Sequence, residues 1–181
     1  MSNDFLICPK CQSKNIQNIN DRKWFCPDCG FDLYNNVAAA VGLIIEDTDG
    51  TLIFEIRAKE PRKGFLALPG GFCDPDESAE QAAFRECREE TGVEPSSIKY
   101  IASFPNTYIY KEIKYKTCDL FFSAEFTKTE KTIIEQMQGE ESEVTGFKSI
   151  RINSIDDIDN LPLAFESAHK ALKVWFSQNH K

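Results

Sequence analysis

The chain has 181 residues, with 21 Lys+Arg against 29 Asp+Glu, a formal net charge of −8 and a sequence pI near 4.9. Such acidity excludes a broad electrostatic hold on DNA or RNA and leaves any phosphate contact to local cations or bound metal. At 41% hydrophobic and 28% charged residues the composition is foldable, neither disordered nor collagenous, and allows one core with a small appendage.

Apolar runs such as Val37–Ile45 are too short for a bilayer, and Met1–Lys10 lacks the pattern of a signal peptide. Seven cysteines, an odd count, fit metal ligands plus free thiols better than a secreted disulfide framework. Together these predict a cytoplasmic protein with no membrane partner.

Four of the cysteines form two knuckles, Cys8-Pro9-Lys10-Cys11 and Cys26-Pro27-Asp28-Cys29-Gly30, with fourteen residues between them. Two Cys-x2-Cys pairs so spaced supply the four thiolates of a closed, structural Zn2+ site, and Gly30 permits the turn after the second knuckle. Two redox dithiols are the alternative, but a catalytic Cys-x-x-Cys usually comes singly, near a strand–helix unit. The segment resembles a zinc ribbon. It carries four cations (Lys10, Lys14, Arg22, Lys23) and four anions (Asp4, Asp21, Asp28, Asp32), so the whole net charge lies beyond Asn36. The polar link Tyr34-Asn35-Asn36 marks the expected boundary between a ribbon over 1–36 and a second domain over 37–181.

From Val37 the pattern alternates strands and helices. Val37–Glu46 and Thr51–Arg57 flank the turn residues Asp47-Thr48-Asp49-Gly50 and predict an antiparallel pair. Ile98–Phe104, Thr117–Phe126 and Gly146–Ile152 read as further strands by their β-branched and aromatic content. Ser78-Ala79-Glu80-Gln81 forms a capping box that opens a helix over Ser78–Thr91, with Gly92 as its stop. A second helix, over Ala164–Ser177, gathers Ala164, Phe165, Ala168, Leu172, Trp175 and Phe176 on one apolar face.

The chemistry lies between Leu68 and Val93. Leu68-Pro69-Gly70-Gly71-Phe72 precedes Cys73-Asp74-Pro75-Asp76-Glu77 and then the capped helix with Arg85-Glu86-Cys87-Arg88-Glu89-Glu90. Glu86, Glu89 and Glu90 fall at i, i+3 and i+4 and share a helical face. Taken alone, that triplet suits a solvated helix, and Arg85 with Glu89 a surface ion pair. Set beside a Gly-Gly loop that lets backbone approach a ligand, and beside Glu77, the residues describe a site for a hard divalent cation. Magnesium binds through carboxylates together with substrate phosphates, which suits an acidic protein acting on a polyphosphate.

Gly71, five residues, Glu77, seven residues, then Arg85-Glu86-Cys87-x-Glu89-Glu90-x-Gly92-Val93 resembles the signature of the Nudix hydrolase superfamily. Cys87 stands where the family usually has a bulkier aliphatic residue, a difference that packing can absorb. The resemblance implies an α/β fold, a Nudix-like α/β/α sandwich with a mixed sheet preceded by a small zinc ribbon. It implies hydrolysis of a nucleoside diphosphate linked to another moiety, with Mg2+ or Mn2+. Glu86, Glu89, Glu90 and the Gly70 carbonyl would ligate metal, Arg85 would orient a carboxylate, and Glu77 would fix the loop or a metal-bound water. The base would be a helix glutamate or one of Glu140, Glu141 and Glu143, with Glu141 the chosen later-loop candidate.

The ribbon–Nudix pairing is similar to the NADH pyrophosphatase group, but Ala102-Ser103-Phe104-Pro105-Asn106-Thr107-Tyr108 lacks that group's Ser-Gln-Pro-Trp-Pro-Phe-Pro type element. Phe72, Phe104, Tyr108 and Tyr110 could stack a base, and Arg57 or Lys63 could reach a phosphate; core packing and solvated surface are the competing readings. Cys73, Cys87 and Cys118 lack a nucleophile setting, with His169 and His180 both far along the chain. The expected partner is a nucleotide-type small molecule. The neutral ribbon argues against nucleic acid and suits packing on the catalytic domain or contacts in a homodimer. The competing function is a non-catalytic nucleotide sensor, or a protein- or RNA-binding module, which has no need to keep all three glutamates.

Overall fold

The computed structural model describes residues 5–111, 113–127, 131–140 and 142–179, leaving aside the side chain of Tyr110. The chain divides into two compact units, Met1–Val37 with Thr107–Lys116, and Ala38–Asn106 with Thr117–Lys181.

In the first unit, β1 (Gln17–Ile19), β2 (Lys23–Cys26) and β3 (Phe31–Tyr34) form an antiparallel sheet in the order β1-β2-β3. Its apolar content is small: Trp24 is buried and meets the Phe5 ring edge-on, centroids 5.0 Å apart. So little core calls for another source of stability.

The second unit is built on a mixed sheet. Its strands are β4 (Ala38–Glu46), β5 (Leu52–Arg57), β6 (Leu66–Ala67), β7 (Ser97–Tyr110), β8 (Ile113–Glu125) and β9 (Val144–Ile150), with the end of β7 and the start of β8 belonging to the first unit. They run in the order β6-β5-β4-β8-β7, with β9 also paired to β5. The expected β4–β5 pair is antiparallel, whereas β4 and β8 run parallel with Ala38 opposite Thr117.

Strand alternation separates two apolar layers. Val41, Leu43, Ile45, Ile53 and Phe122 pack with Ala82, Ala83 and Cys87 of helix α1 (Ala79–Thr91). Ile44, Leu52, Phe54 and Phe121 pack with Ile158 of α2 (Ile155–Asp159) and Ala168, Leu172 and Trp175 of α3 (Glu166–Asn179). Helices therefore cover both faces, and the expected three-layer α/β/α sandwich with a mixed sheet is the fold observed. Asp119 of β8 accepts hydrogen bonds from Thr117 (2.6 Å) and Ser167 of α3 (2.7 Å), so this buried carboxylate has donors from two elements.

Several local readings shift. Strands β7 and β8 extend past the expected Ile98–Phe104 and begin before the expected Thr117, respectively. Strand β6 and helix α2 lack any signal among the expected elements. Helix α3 starts at Glu166 because Leu66 exchanges backbone hydrogen bonds with Pro162 and Ala164, drawing that segment to the sheet. Among the described residues no helix is long and apolar enough to cross a membrane.

Candidate active site

Helix α1 begins at the expected capping box, in which Ser78 accepts from the Gln81 amide and Gln81 from the Ser78 amide; it ends at Gly92, in the left-handed region. These caps fix the phase of the helix and with it the face carrying Glu86, Glu89 and Glu90.

Arg85 organises the outer part of that face. Its Nε and Nη2 donate to the two carboxylate oxygens of Glu77, each at 2.9 Å. Nη2 also donates to the Phe72 carbonyl at 3.0 Å, and Nη1 to Glu86 (2.8 Å) and Glu89 (3.0 Å). Five hydrogen bonds match the five N–H donors of a guanidinium. The bidentate Arg85 contact holds the Glu77 carboxyl below the usual range, helped by the Asp74 amide, which donates to Glu77. Glu77 thus joins the loop to the helix through Arg85.

The Gly-Gly loop closes the inner part. Leu43 and Val41 of β4 donate to the carbonyls of Pro69 and Gly71, both at 2.8 Å, and the intervening Gly70 amide donates to Glu90 at 2.6 Å. Gly70 has φ +149°, and a Cβ there would fall 2.1 Å from the Val41 carbonyl oxygen. At Gly71 a Cβ would meet Glu86 Oε1 at 2.5 Å. Both glycines are needed sterically, the first by backbone and the second by the Glu86 carboxylate.

Glu55, which sequence reasoning missed, meets this cluster from the sheet. It lies on β5 opposite Ala67 of β6 and Phe147 of β9, only 2% exposed. Its carboxyl contacts that of Glu90, itself 8% exposed. Burial pushes Glu55 up to about 7, against the opposing contacts of Glu90 and Arg57. Burial also drives Glu90 well above the carboxylate range, and the charge of Glu55 adds to it, while the Gly70 amide opposes. Glu86 is raised by burial too, with Arg85 opposing. The one available signal was a charge inside the run Leu52–Ile56, where alternation alone also permits a solvent-facing residue.

The other expected contacts fall variously. Arg57 donates from Nε to the Pro61 carbonyl at 3.1 Å, and its guanidinium lies 5.2 Å from the centre of the Phe165 ring. Phe72 is exposed beside Arg85, Phe104 packs against the α2–α3 layer, and Lys63 is exposed. Tyr108 belongs to the unit that contains the ribbon. Glu143 pairs with Lys59, and its backbone carbonyl accepts from the Ala58 amide at 2.7 Å. Glu141, His180 and the side chain of Tyr110 lie outside the described residues. Cys87 is buried, its thiol pushed up to about 11 by that burial, as a packing residue rather than a nucleophile.

In the first unit the four knuckle sulfurs lie within 4.8 Å of one another, with Cys8–Cys29 and Cys11–Cys26 both at 3.7 Å. Four thiolates held tetrahedrally at a metal–sulfur distance of about 2.3 Å would be about 3.8 Å apart. The cluster therefore fits one tetrahedral ion.

A family model for the NUDIX domain matches residues 37–176. The chain belongs to the Nudix family. A "NAD-capped RNA hydrolase NudC" of Deinococcus radiodurans is 28% identical over 169 residues, covering 92% of this chain and 55% of that protein. A protein of the same name from Pseudomonas aeruginosa (strain LESB58) is 32% identical over 99 residues, covering 54% of this chain and 34% of its own length. The aligned stretches thus account for between a third and just over half of these relatives. The crystal structure of a NUDIX hydrolase from Nitrosomonas europaea superposes with a TM-score of 0.66 at 19% identity, covering 96% of this chain and 92% of that one, a likeness of fold.

Proposed function

We propose that this Nudix chain is a divalent-metal-dependent hydrolase that cleaves the pyrophosphate of a nucleoside diphosphate linked to another moiety and releases a nucleoside monophosphate. The carrying observation is the assembly of Glu86, Glu89 and Glu90 on one face of α1, held between the Arg85 clamp and the Gly70-Gly71 loop. The relatives' names support NAD-capped RNA as a substrate to compare, beside the ADP-ribose, dinucleotides and NADH that the family resemblance implies. Retention of the full acidic set supports an enzyme over a sensor.

Mg2+ or Mn2+, held by Glu86, Glu89, Glu90 and the Gly70 carbonyl, would neutralise phosphate oxygens and acidify an attacking water. The hard oxygen donors and the buried carboxyl oxygen of Glu55 fit such an ion. Arg85 and Glu77 keep the carboxylates oriented. The remaining expected roles are Arg57 at a phosphate and Phe72 against a base. A helix glutamate or one of Glu140, Glu141 and Glu143 would accept the proton; Glu141 is retained as the later-loop candidate, and Glu143 bears electrostatically on Glu55. Zn2+ in the Cys8, Cys11, Cys26 and Cys29 cluster would serve the ribbon alone, since four thiolates leave no open position. The reading places the protein in the cytoplasm, whose reducing conditions suit its free thiols.

The test is a substrate panel with Mg2+ and Mn2+, run beside E89Q and E90Q. Release of a nucleoside monophosphate by the wild-type chain, lost in the variants, supports the mechanism. Full turnover in both variants overturns it.

A further inference from the structure

Strand β5 is buried along most of its length, and its α1-facing side carries Ile53 and then Glu55. Glu55 occupies a place where the pattern calls for an apolar residue, flanked across the sheet by Ala67 and Phe147. Its Oε2 is buried and has no hydrogen-bond partner among the described residues. Orphaned carboxyl oxygens are costly to bury and are retained where they meet a cation or a ligand.

The neighbouring charges decide between those uses. Glu90 is in contact with Glu55, and Glu86 and Glu143 add negative charge at longer range. Arg57 is the cation acting on Glu55, but its Nε is bound to Pro61 and its guanidinium stacks on Phe165. Arg85 is committed to Glu77, Glu86, Glu89 and Phe72. Lys59 is engaged by Glu143. The acidic group around Glu55 therefore exceeds the positive charge available to it, and its open donor is a hard oxygen.

We propose that Glu55 is an additional ligand of this chain's divalent-cation site, joining Glu86, Glu89 and Glu90 from the sheet side. The inference rests on the metal-dependent hydrolase reading and adds a residue that lies outside the Nudix signature. It makes β5 part of the ion's cage, so the cation bridges helix α1 and the central sheet.

The test is Mn2+ binding to the full chain, followed by calorimetry and by the loss of the free-ion electron paramagnetic resonance signal, for wild type, E55Q and E55T. Both variants should weaken Mn2+ binding on the order of tenfold or more, as expected when one charged ligand is removed. They should shrink the rise in melting temperature on adding Mn2+, while the metal-free E55Q protein melts no lower than wild type. Unchanged Mn2+ affinity in both folded variants overturns the inference and leaves the hydrolase reading standing. Loss of the fold in both also overturns it, because the side chain would then be a packing element. A wild-type chain that takes up no Mn2+ defeats the hydrolase reading and this inference together.

Discussion

The carboxyl groups of Glu55 on β5 and Glu90 on α1 meet in the apolar layer between sheet and helix, both nearly inaccessible to solvent. Two buried carboxyls in contact cannot both ionise without a cation beside them. The Nudix helix is thus joined to the sheet by a carboxyl pair that shares a proton, and on the metal-site proposal that proton leaves when an ion binds.

That pair sets a pH dependence. Glu55 is raised to about 7 in the folded protein, from an ordinary value of 4.5. The folded state therefore binds the proton more tightly than the unfolded chain, and stability is lost as pH rises through about 7. Urea unfolding without added Mg2+ or Mn2+ should show wild type losing stability as pH rises from 4.5 to about 7, and E55Q losing less. Equal slopes in the two proteins would contradict the assignment.

The two loop glycines should fail differently. In G70A the added methyl strikes the Val41 carbonyl, which is backbone and cannot yield, so the variant should lose roughly 2 kcal/mol or more of stability. In G71A its nearest contacts are with the Glu86 carboxylate, which can rotate away. G71A should keep most of its melting temperature and lose turnover. Circular dichroism melts and initial rates separate the two outcomes.

Arg85 cannot be replaced conservatively. Lysine keeps the charge but not the planar fork, so R85K should lose the Glu77 clamp and the Phe72 contact together. The expected result is a drop in melting temperature and at least a tenfold fall in turnover, a loss set by misplaced ligands. A variant with wild-type rates would show that the clamp is dispensable.

How much of this was legible in sequence depended on range. Glu86, Glu89 and Glu90 share a face through spacing within a single helix, and the four cysteines cluster through two short knuckles, so local pattern sufficed. Glu55 was not legible, because a glutamate in an alternating strand looks solvent-facing until β6, β9 and α1 are known to enclose it. The start of α3 depended likewise on Leu66, about a hundred residues earlier, capturing Pro162 and Ala164. Arg57 shows the same limit: its cation is plain in sequence, but its stacking on Phe165 is a tertiary fact.

The ribbon gives a separate check. Metal analysis of protein purified under reducing conditions should find one zinc per chain, and C26S should lose it. Because Trp24 is buried there, zinc removal should alter its emission in a W175F background, where it is the remaining tryptophan. With a structural ion contributing on the order of 10 kcal/mol to such a module, the apo ribbon should unfold. Zinc-free protein with unchanged Trp24 emission would contradict the structural role.

The most direct measurement of the central claim is nucleoside monophosphate release from NADH, ADP-ribose, a diadenosine polyphosphate and NAD-capped RNA in Mn2+, by wild type and E90Q. The hydrolase account expects turnover of at least one substrate, falling by roughly 10²–10³-fold in E90Q as a group serving transition-state charge is lost. Turnover that survives in E90Q at the wild-type rate, or none on any substrate by a wild-type chain loaded with Mn2+, would contradict it.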